Sequence, residues 1–271
     1  MTKVVLLTGA SSGIGHQTAQ SLAQNGYKVY GAARRVKSME DLNAAGIVPI
    51  QLDITLEDSI QAAVKEVIDR EGRIDILINN AGYGSYGAVE DVTIEEAKRQ
   101  FEVNLFGLAE LTKAVLPYMR AQKSGKIINV SSMGGRLTTK FGAWYHATKY
   151  ALEAFSDALR LETKAFGIDV ILVEPGGIKT PWGFIAADNL RKSAQGGAYE
   201  QQARKTADSM TRQYSSNLLS SPKVIAKTML KIANAKHPKA RYLVGFGAKP
   251  FVFLHTILPT RAFDFIISKA S

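Results

Sequence analysis

The stretch VVLLTGASSGIG at residues 4–15 contains a short apolar run that is followed at once by three glycines. The run 4–7 is apolar at every position, which is typical of a strand covered on both faces, as in a parallel sheet. Glycines directly after such a strand allow a tight turn and let the backbone approach a phosphate, to which the next helix offers free N–H groups. The spacing G-x-x-x-G-x-G differs from the usual G-x-G-x-x-G, so a plain glycine-rich turn stays an alternative. The position after the first strand favours a pyrophosphate site.

Six further apolar runs alternate with longer segments of helical period, such as residues 60–68. These runs lie at residues 28–33, 48–52, 74–78, 126–130, 170–173 and 242–244. Thr55 with Asp58, and Thr93 with Glu96, resemble the starts of two of the helices. The alternation predicts an α/β fold of Rossmann type, a doubly wound parallel sheet of about seven strands with helices on both faces. No linker divides the chain, so we expect residues 1–271 to form a single domain.

Two segments depart from this alternation. Residues 180–221 are polar and have no strand pattern, and an excursion of that length predicts a lid over the substrate. Residues 246–271 are apolar and aromatic, and they would cover the pocket or an interface, with a membrane surface as the less favoured alternative. Pro259 and the polar pair His255 and Thr256 interrupt this last segment, so it does not predict a spanning helix.

Composition excludes several classes of function. The chain has no cysteine and its four histidines are scattered, so we expect no metal site. The formal net charge is +10, but no run of basic residues exceeds two, and we expect no nucleic-acid partner. The apolar run at the amino end is too short for a signal peptide. We therefore expect a cytoplasmic protein, since an absence of cysteine also suits a reducing compartment.

The end of the second predicted strand bears on the choice of cofactor. A dinucleotide site normally has an acidic residue about 20 residues after the glycine turn, where it bonds the adenosine ribose. Here Ala33 stands in that region and is followed by Arg34 and Arg35. A guanidinium can bind a 2′-phosphate in bidentate fashion, so the pair favours NADP(H) over a solvated arginine pair at the surface.

Tyr145 and Lys149 are four residues apart at the start of a predicted helix at 143–166, so they share a face. A nearby ammonium and a helix N-terminus both lower the pKa of a phenol, and we expect that effect on Tyr145. Ser132 follows the fifth predicted strand, where the carboxyl ends of the strands form a cleft. A serine there can serve the same cleft or be an ordinary turn residue.

These residues together resemble the short-chain dehydrogenase/reductase superfamily, in its compact single-domain branch. The resemblance runs from about residue 3 to residue 180 and rests on motifs in the family's order. They are the glycine turn, Asn79-Asn80-Ala81-Gly82, Asn104, Ser132, Tyr145 with Lys149, and Pro175-Gly176 with Thr180. The Val-Glu-Pro-Gly motif and the aromatic carboxyl end look like hydroxysteroid- and retinol-dehydrogenase-like members.

The resemblance implies a catalytic set. Tyr145 would be the general acid/base, and Lys149 would hold the nicotinamide ribose and lower the pKa of the tyrosine. Ser132 would orient the substrate oxygen, with Ser131 as the less favoured neighbour, and Asn104 would bind a water that links Lys149 to solvent.

The resemblance also implies a set of cofactor-binding residues that surround NADP(H) from the pyrophosphate to the nicotinamide. The residues are Gly9, Ser11, Ser12, Gly13, Ile14, Gly15, Arg34, Asp53, Ile54, Asn80, Ala81, Gly82, Tyr145, Lys149, Pro175, Ile178 and Thr180.

Four apolar residues suggest a pocket for a lipophilic ketone, aldehyde or alcohol, although core packing explains each of them singly. They are Met133, Phe141, Trp182 and Phe184. An NADP(H)-binding regulator or scaffold without turnover is the alternative function, but every catalytic position is filled.

The resemblance further implies a homodimer or homotetramer that packs the helices at 101–120 and 143–166 against their copies. The faces shared in that assembly would include Leu108, Leu111, Ala151, Leu152 and Phe155.

Overall fold

The computed structural model describes residues 2–270 and contains one parallel sheet of seven strands. The strands are β1 (Val4–Thr8), β2 (Lys28–Ala33), β3 (Val48–Gln51), β4 (Ile76–Asn79), β5 (Gly125–Val130), β6 (Ile168–Pro175) and β7 (Arg241–Val244). Their order across the sheet is β3-β2-β1-β4-β5-β6-β7, and each neighbouring pair is parallel. The predicted doubly wound α/β fold in a single domain is confirmed.

Eleven α-helices connect and cover these strands within residues 2–270. They are α1 (Gly13–Gln24), α2 (Glu40–Asn43), α3 (Glu57–Glu71), α4 (Ile94–Phe101), α5 (Gly107–Gln122), α6 (Ala143–Thr163), α7 (Trp182–Ser193), α8 (Glu200–Ser215), α9 (Pro222–Asn234), α10 (Ala248–Ile257) and α11 (Thr260–Ala270). None of the described helices is long and apolar enough to span a bilayer.

The alternation of side chains along the strands builds a core on each face of the sheet. Val5 and Leu7 of β1 belong to one apolar cluster, whereas Val4 and Leu6 belong to the other. Helices α1 and α9 contribute to the first cluster, and α3 and α5 to the second. All five residues of β1 are buried, which explains why its sequence is apolar without the alternation of a one-sided strand.

The two predicted helix starts had different outcomes. Thr93 caps α4, and its Oγ1 accepts a hydrogen bond from the Glu96 N–H at 3.2 Å, as expected. The start at Thr55 is wrong, because α3 begins at Glu57 after Leu56. The Thr55 hydroxyl and N–H instead donate to Oδ1 of Asp53, at 2.8 and 3.0 Å.

The predicted helix at 101–120 is not regular. A π-helical segment at Glu102–Phe106 separates α4 from α5, and Asn104 lies on it. Such widened turns occur frequently at functional sites.

The two segments that lacked strand patterns are helical. Residues 180–221 form α7 and α8, which pack against each other, and their only β contact is an isolated bridge between Ile178 and Ser220. The last segment forms α10 and α11, which are separated at Pro259.

Arg241, the first residue of β7, joins a cluster of carboxylates. Its Nε lies 3.2 Å from both Glu153 and Glu174, and its Nη2 lies 2.5 Å from Asp157. The Glu174 side chain is only 1% exposed. Burial raises the pKa of Glu153 to about 7, and the negative charge of Glu174 acts in the same direction. The guanidinium therefore compensates two carboxylates that water barely reaches.

Replacing Arg241 with leucine should lower the free energy of unfolding by about 2–4 kcal/mol, because it removes the ion pair of the buried Glu153 and leaves Glu174 with the more distant Arg136, at 3.5 Å. Urea denaturation measures the effect. Arg160→Leu is the matched control: Arg160 forms a half-exposed ion pair with Asp157, and its loss should cost under about 1 kcal/mol. Equal losses for the two variants would contradict the role given to Arg241.

Candidate active site

A cleft of about 1180 Å³ lies at the carboxyl ends of the strands. The loops that follow β1, β2, β4, β5 and β6 all contribute to its walls, as expected for a ligand site in an open α/β sheet. A space of this size can hold a dinucleotide together with a small substrate.

The turn between β1 and α1 forms the floor of the cleft. Gly9 has a φ of +69°, a left-handed conformation that favours glycine. A Cβ on Gly15 would collide with the carbonyl oxygen of Gly9, so this turn closes tightly only with glycine. Ser12 is the N-cap of α1 without a side-chain hydrogen bond, and the first turn has no acidic residue. The amino end of α1 thus keeps a positive field for an anionic group, which fits a pyrophosphate.

Thr8 connects this turn to the next strand in the sheet. Its Oγ1 accepts hydrogen bonds from the N–H groups of Asn80 and Ala81, both at 3.0 Å. The Asn80 amide donates in return to the carbonyl oxygen of Thr8 at 3.0 Å. These bonds hold the ends of β1 and β4 together and place Asn80, Ala81 and Gly82 on the wall of the cleft.

Arg34 lines the end of the cleft next to β2 and is exposed. Asp53 is half-buried beside it. Burial acts to raise the pKa of Asp53, but hydrogen bonds from Thr55 and the positive charges of Arg34 and Arg99 lower it overall. The predicted positions of Arg34 and Asp53 thus come together around one region of the cleft.

Arg99, on α4, lines the same region, and sequence reasoning missed it. No local pattern distinguishes it from an ordinary solvated arginine on a helix. Only the packing of α4 brings it near Asp53 and Arg34.

Tyr145, Lys149 and Ser132 line the cleft together. Tyr145 is 7% exposed and Lys149 is 6% exposed, on the first two turns of α6. The Lys149 ammonium donates to the carbonyl oxygen of Val130 at 2.9 Å and lies 6.0 Å from the ring centroid of Tyr145. The Ser132 hydroxyl accepts from the Gly134 N–H at 2.9 Å.

The expected lowering of the tyrosine pKa is wrong for the chain by itself. Burial raises the pKa of Tyr145 to about 12, and the neighbouring Ser132 hydroxyl only partly opposes it. Burial also lowers the pKa of Lys149 to about 8, against the charge of Glu153. The sequence showed the spacing of the two groups but not the depth at which both are buried.

Ser131 and Ser132 both line the cleft but have different surroundings. Ser131 is 4% exposed and its N–H donates to the carbonyl oxygen of Val173 at 2.8 Å, which extends the ladder between β5 and β6. The Ser132 hydroxyl acts to lower the pKa of Tyr145, against the larger effect of burial. This placement supports the predicted preference for Ser132.

Asn104 lies behind the cleft wall. Its amide donates to the carbonyl oxygen of Tyr83 at 2.9 Å and to the Thr148 hydroxyl at 3.2 Å, and it accepts from the Tyr83 N–H at 3.1 Å. A Cβ on Gly82 would lie 3.1 Å from Asn104 Oδ1 and 3.9 Å from Lys149 Nζ. Asn104 therefore positions the loop after β4 next to Lys149, and its predicted role in binding a water stays a prediction.

His146, which no sequence pattern singles out, holds the loop that carries Ser132. The Thr139 N–H donates to its Nε2 at 3.0 Å, so its Nδ1 carries the proton and donates to the Gly134 carbonyl at 2.9 Å. Burial lowers the pKa of His146, which keeps the ring neutral.

The cleft receives most of the other predicted residues. Those on its wall include Ser11, Ser12, Gly13, Ile14, Ile54, Met133, Pro175, Ile178, Thr180 and Trp182, whereas Gly15 supports the turn from behind. Thr180 is close to the glycine turn, since a Cβ on Gly13 would lie 3.3 Å from its Cγ2.

Two of the four residues predicted to contact substrate lie outside this cleft. Phe141 is buried with its ring 6.2 Å from that of Tyr199, and Phe184 is 38% exposed against Tyr214. Phe141 belongs to a buried apolar cluster and Phe184 packs on Tyr214 of α8, and the sequence could not distinguish such packing from a place in a pocket.

Trp182, together with other aromatic rings that the sequence did not single out, surrounds Tyr145 instead. Tyr86 lies 5.8 Å from the ring of Tyr145, and the predicted Trp182 lies at 5.1 Å. Tyr214 of α8 stacks on Trp182 at 6.4 Å, and Phe251 of α10 lines the cleft. Helices α7, α8 and α10 therefore all contribute to the predicted substrate end.

Comparison with known proteins agrees with this architecture. A family model described as short chain dehydrogenase matches residues 3–187. A probable short-chain type dehydrogenase/reductase of Helicobacter pylori is 38% identical over 261 residues, which cover 96% of this chain and 95% of that protein. A 3-ketodihydrosphingosine reductase of Bacteroides thetaiotaomicron is 38% identical over 244 residues, covering 90% and 88%.

Among solved structures, a short-chain dehydrogenase from Streptomyces avermitilis superposes with a TM-score of 0.82 at 34% identity. The match covers 100% of this chain and 97% of that one. The glycine turn, the sheet order and these similarities lead to one conclusion: the chain belongs to the short-chain dehydrogenase/reductase family of oxidoreductases.

Proposed function

We propose that this protein is an NADP(H)-dependent oxidoreductase that interconverts a lipophilic ketone or aldehyde and the corresponding alcohol. The observation that carries the proposal is the meeting of Tyr145, Lys149 and Ser132 in one cleft with a glycine turn suited to a pyrophosphate. A buried phenol beside a buried ammonium is costly for stability and is therefore unusual outside a reactive site.

The three side chains have separate roles in the proposed reaction. A nicotinamide cofactor held by the glycine turn and Lys149 would supply the hydride that the carbonyl carbon takes up. Tyr145 donates its phenolic proton to the carbonyl oxygen, so that the carbon is reduced and the oxygen becomes a hydroxyl. Ser132 accepts from the Gly134 N–H at 2.9 Å and donates only a long hydrogen bond, 3.5 Å, to the Pro175 carbonyl, so its hydroxyl can turn its proton to the same oxygen. Lys149 holds a positive charge next to the phenol and stabilises the phenolate that remains.

The preference for NADP(H) is supported by charge at the β2 end of the cleft. The positive charges of Arg34 and Arg99 both act to lower the pKa of Asp53 and that of Tyr83. The two guanidinium groups therefore lie near one region of the cleft. Ala33 stands where a ribose-binding carboxylate would repel a 2′-phosphate. Two arginines around that position favour the phosphorylated cofactor.

The lipophilic substrate is supported by the rings around Tyr145. Tyr86, Trp182 and Tyr214 form an aromatic wall next to the phenol, and Phe251 extends it toward the carboxyl-terminal helices. The relative from Bacteroides thetaiotaomicron is a 3-ketodihydrosphingosine reductase. A ketone on an extended apolar chain fits such a wall better than a sugar.

We also propose a homodimer or homotetramer, with a corrected interface. Leu108, Leu111 and Leu152, which we expected to face a copy, are at most 2% exposed and belong to the core of the single chain. The exposed apolar positions of α6 are instead Tyr150 and Leu161, which lie eleven residues apart and hence on one face. An absence of cysteine fits the cytoplasm, where we propose that the protein works.

The test of the function is a single-turnover assay of NADPH oxidation across ketones and aldehydes of increasing chain length. Turnover that improves with chain length supports the proposal. NADPH binding without turnover of any compound would favour the alternative, a regulator or scaffold with the same fold.

Tyr145→Phe should lower kcat by about 10²–10⁴-fold and leave NADPH binding unchanged, because it removes only the phenolic oxygen. Steady-state kinetics and fluorescence titration measure the two effects. Tyr150→Phe, on the exposed face of the same helix, is the control and should keep wild-type turnover.

The same variant has a pH signature. Alcohol oxidation needs the phenolate, and burial raises the pKa of Tyr145 to about 12, so the wild-type oxidation rate should increase with pH across the neutral range. The residual rate of Tyr145→Phe should lack this increase. Near wild-type turnover in the variant would contradict the role of Tyr145.

Arg34→Ala and Arg99→Ala should each weaken NADPH binding by about tenfold to a hundredfold and barely change NADH binding, since each removes a charged hydrogen bond to the 2′-phosphate. Titration of each protein with NADPH and with NADH gives the ratio of the two dissociation constants. Lys37→Ala, an exposed cation outside the cleft, is the control. A wild type that binds NADH as tightly as NADPH would contradict the cofactor assignment.

Leu161→Glu should shift the protein from an oligomer to a monomer at micromolar concentration, because it places a charge in the apolar stripe of α6. Light scattering measures the mass, and Leu56→Glu, at an exposed leucine before α3, should leave it unchanged. A wild-type protein that is already a monomer would contradict the proposed assembly.

A further inference from the structure

The outer faces of α10 and α11 each carry three exposed side chains at the same four-residue spacing. On α10, Lys249, Phe253 and Ile257 are four residues apart and all exposed. On α11, Arg261, Phe265 and Lys269 repeat the spacing, and they are exposed as well. Residues four apart on a helix form one stripe, so α10 shows solvent an aromatic ring between a lysine and an isoleucine, and α11 shows one between two cations. We call these six residues the outer stripe.

The outer stripe is not part of the core of the chain. Phe253 and Phe265 are 62% and 66% exposed, the two most exposed aromatic side chains in residues 2–270. The inner faces of the same helices are occupied, because Phe251 and Ile267 line the cleft. Phe253 is two residues from Phe251, and Phe265 is two residues from Ile267. Positions two apart on a helix are separated by about 200° of rotation, so the outer stripe points away from the cleft.

The charge of this surface selects among partners. Asp264 is the only acidic residue in residues 246–271, against Lys249, Arg261 and Lys269. A two-fold contact between copies through this face would bring like charges together, which is unfavourable. An anionic surface meets the cations with opposite charge and accepts the phenyl rings in its apolar layer.

We propose that the outer stripe binds the surface of an anionic phospholipid membrane. Short amphipathic helices with phenylalanine between basic residues lie in the plane of such an interface, with the rings below the headgroups and the cations on the phosphates. No described helix is able to span a bilayer, so the contact is peripheral. The proposal goes beyond the oxidoreductase function and does not require turnover.

The position of the stripe connects membrane contact to the cleft. Phe246, just before α10, lines the cleft and is 37% exposed, and Leu218, after α8, lines it and is 61% exposed. Phe251 of α10 and Ile267 of α11 line the same cleft, so the two helices that carry the outer stripe also form part of its wall. A lipophilic substrate dissolved in the membrane would reach the cleft over a short distance.

Flotation with vesicles tests the proposal directly. The full chain should float with vesicles of phosphatidylcholine that contain phosphatidylglycerol and stay behind with vesicles of pure phosphatidylcholine. High salt should weaken the binding, since it screens the cations. Lys249→Glu with Arg261→Glu should reduce the partition coefficient more than about tenfold, because each basic residue contributes about fivefold. Phe253→Ser with Phe265→Ser should reduce it at least as much.

Matched controls lie at distant exposed positions. Leu56→Ser, at the opposite end of the sheet, and Lys236→Glu, at the amino end of β7, should float like the wild type. Unchanged thermal unfolding and NADPH binding of each variant show that folding is intact. Failure of the wild type to float with anionic vesicles would overturn the proposal, and so would wild-type flotation of both double variants. Light scattering tests the alternative that a second copy of the chain covers this face. That alternative would hold if the Phe253→Ser, Phe265→Ser protein had a smaller mass than the wild type and the wild type did not bind vesicles.

Discussion

The hydrogen bonds of the Thr8 hydroxyl fix the geometry on which the site depends. They join β1 to β4 at the point where the order of the strands reverses, and in open α/β sheets that point forms the ligand crevice. Because Asn80 bonds back to Thr8, the glycine turn and the loop after β4 form one rigid edge. The amino end of α1 and the wall that holds Lys149 are placed relative to this edge.

The second constraint is burial of the reactive groups. Tyr145 and Lys149 are both nearly inaccessible, and burial moves their pKa values toward the neutral forms, up to about 12 for the phenol and down to about 8 for the ammonium. The phenol therefore keeps its proton at neutral pH, and in the proposed reduction it would donate that proton to the substrate oxygen. The ammonium is held by the Val130 carbonyl, so its charge is available close to the phenol without forming an ion pair with it.

The sequence predicted what depends on local pattern. The strands were identifiable because burial on both faces leaves apolar runs such as β1, and the four-residue spacing of Tyr145 and Lys149 follows from one helix. Arg99 and Phe251 were not identifiable, because only the packing of distant helices brings them to the cleft. Phe141 was placed in the pocket and lies elsewhere, since an aromatic residue has the same local signal in a core and in a site. The direction of the Tyr145 pKa was wrong because burial depth is a property of the folded chain.

The central claim is that this cleft transfers a hydride to a carbonyl carbon with Tyr145 as the proton donor. A single-turnover experiment with NADPH deuterated at the transferred position, run with a long-chain ketone in water and in D₂O, tests both transfers at once. The account predicts a primary isotope effect from the deuterated cofactor and a solvent isotope effect in the wild type, with the solvent effect lost in Tyr145→Phe. Two results would contradict it. One is turnover with no isotope effect from the deuterated cofactor when the observed step is shown to be the chemical one. The other is a solvent isotope effect that is unchanged in Tyr145→Phe.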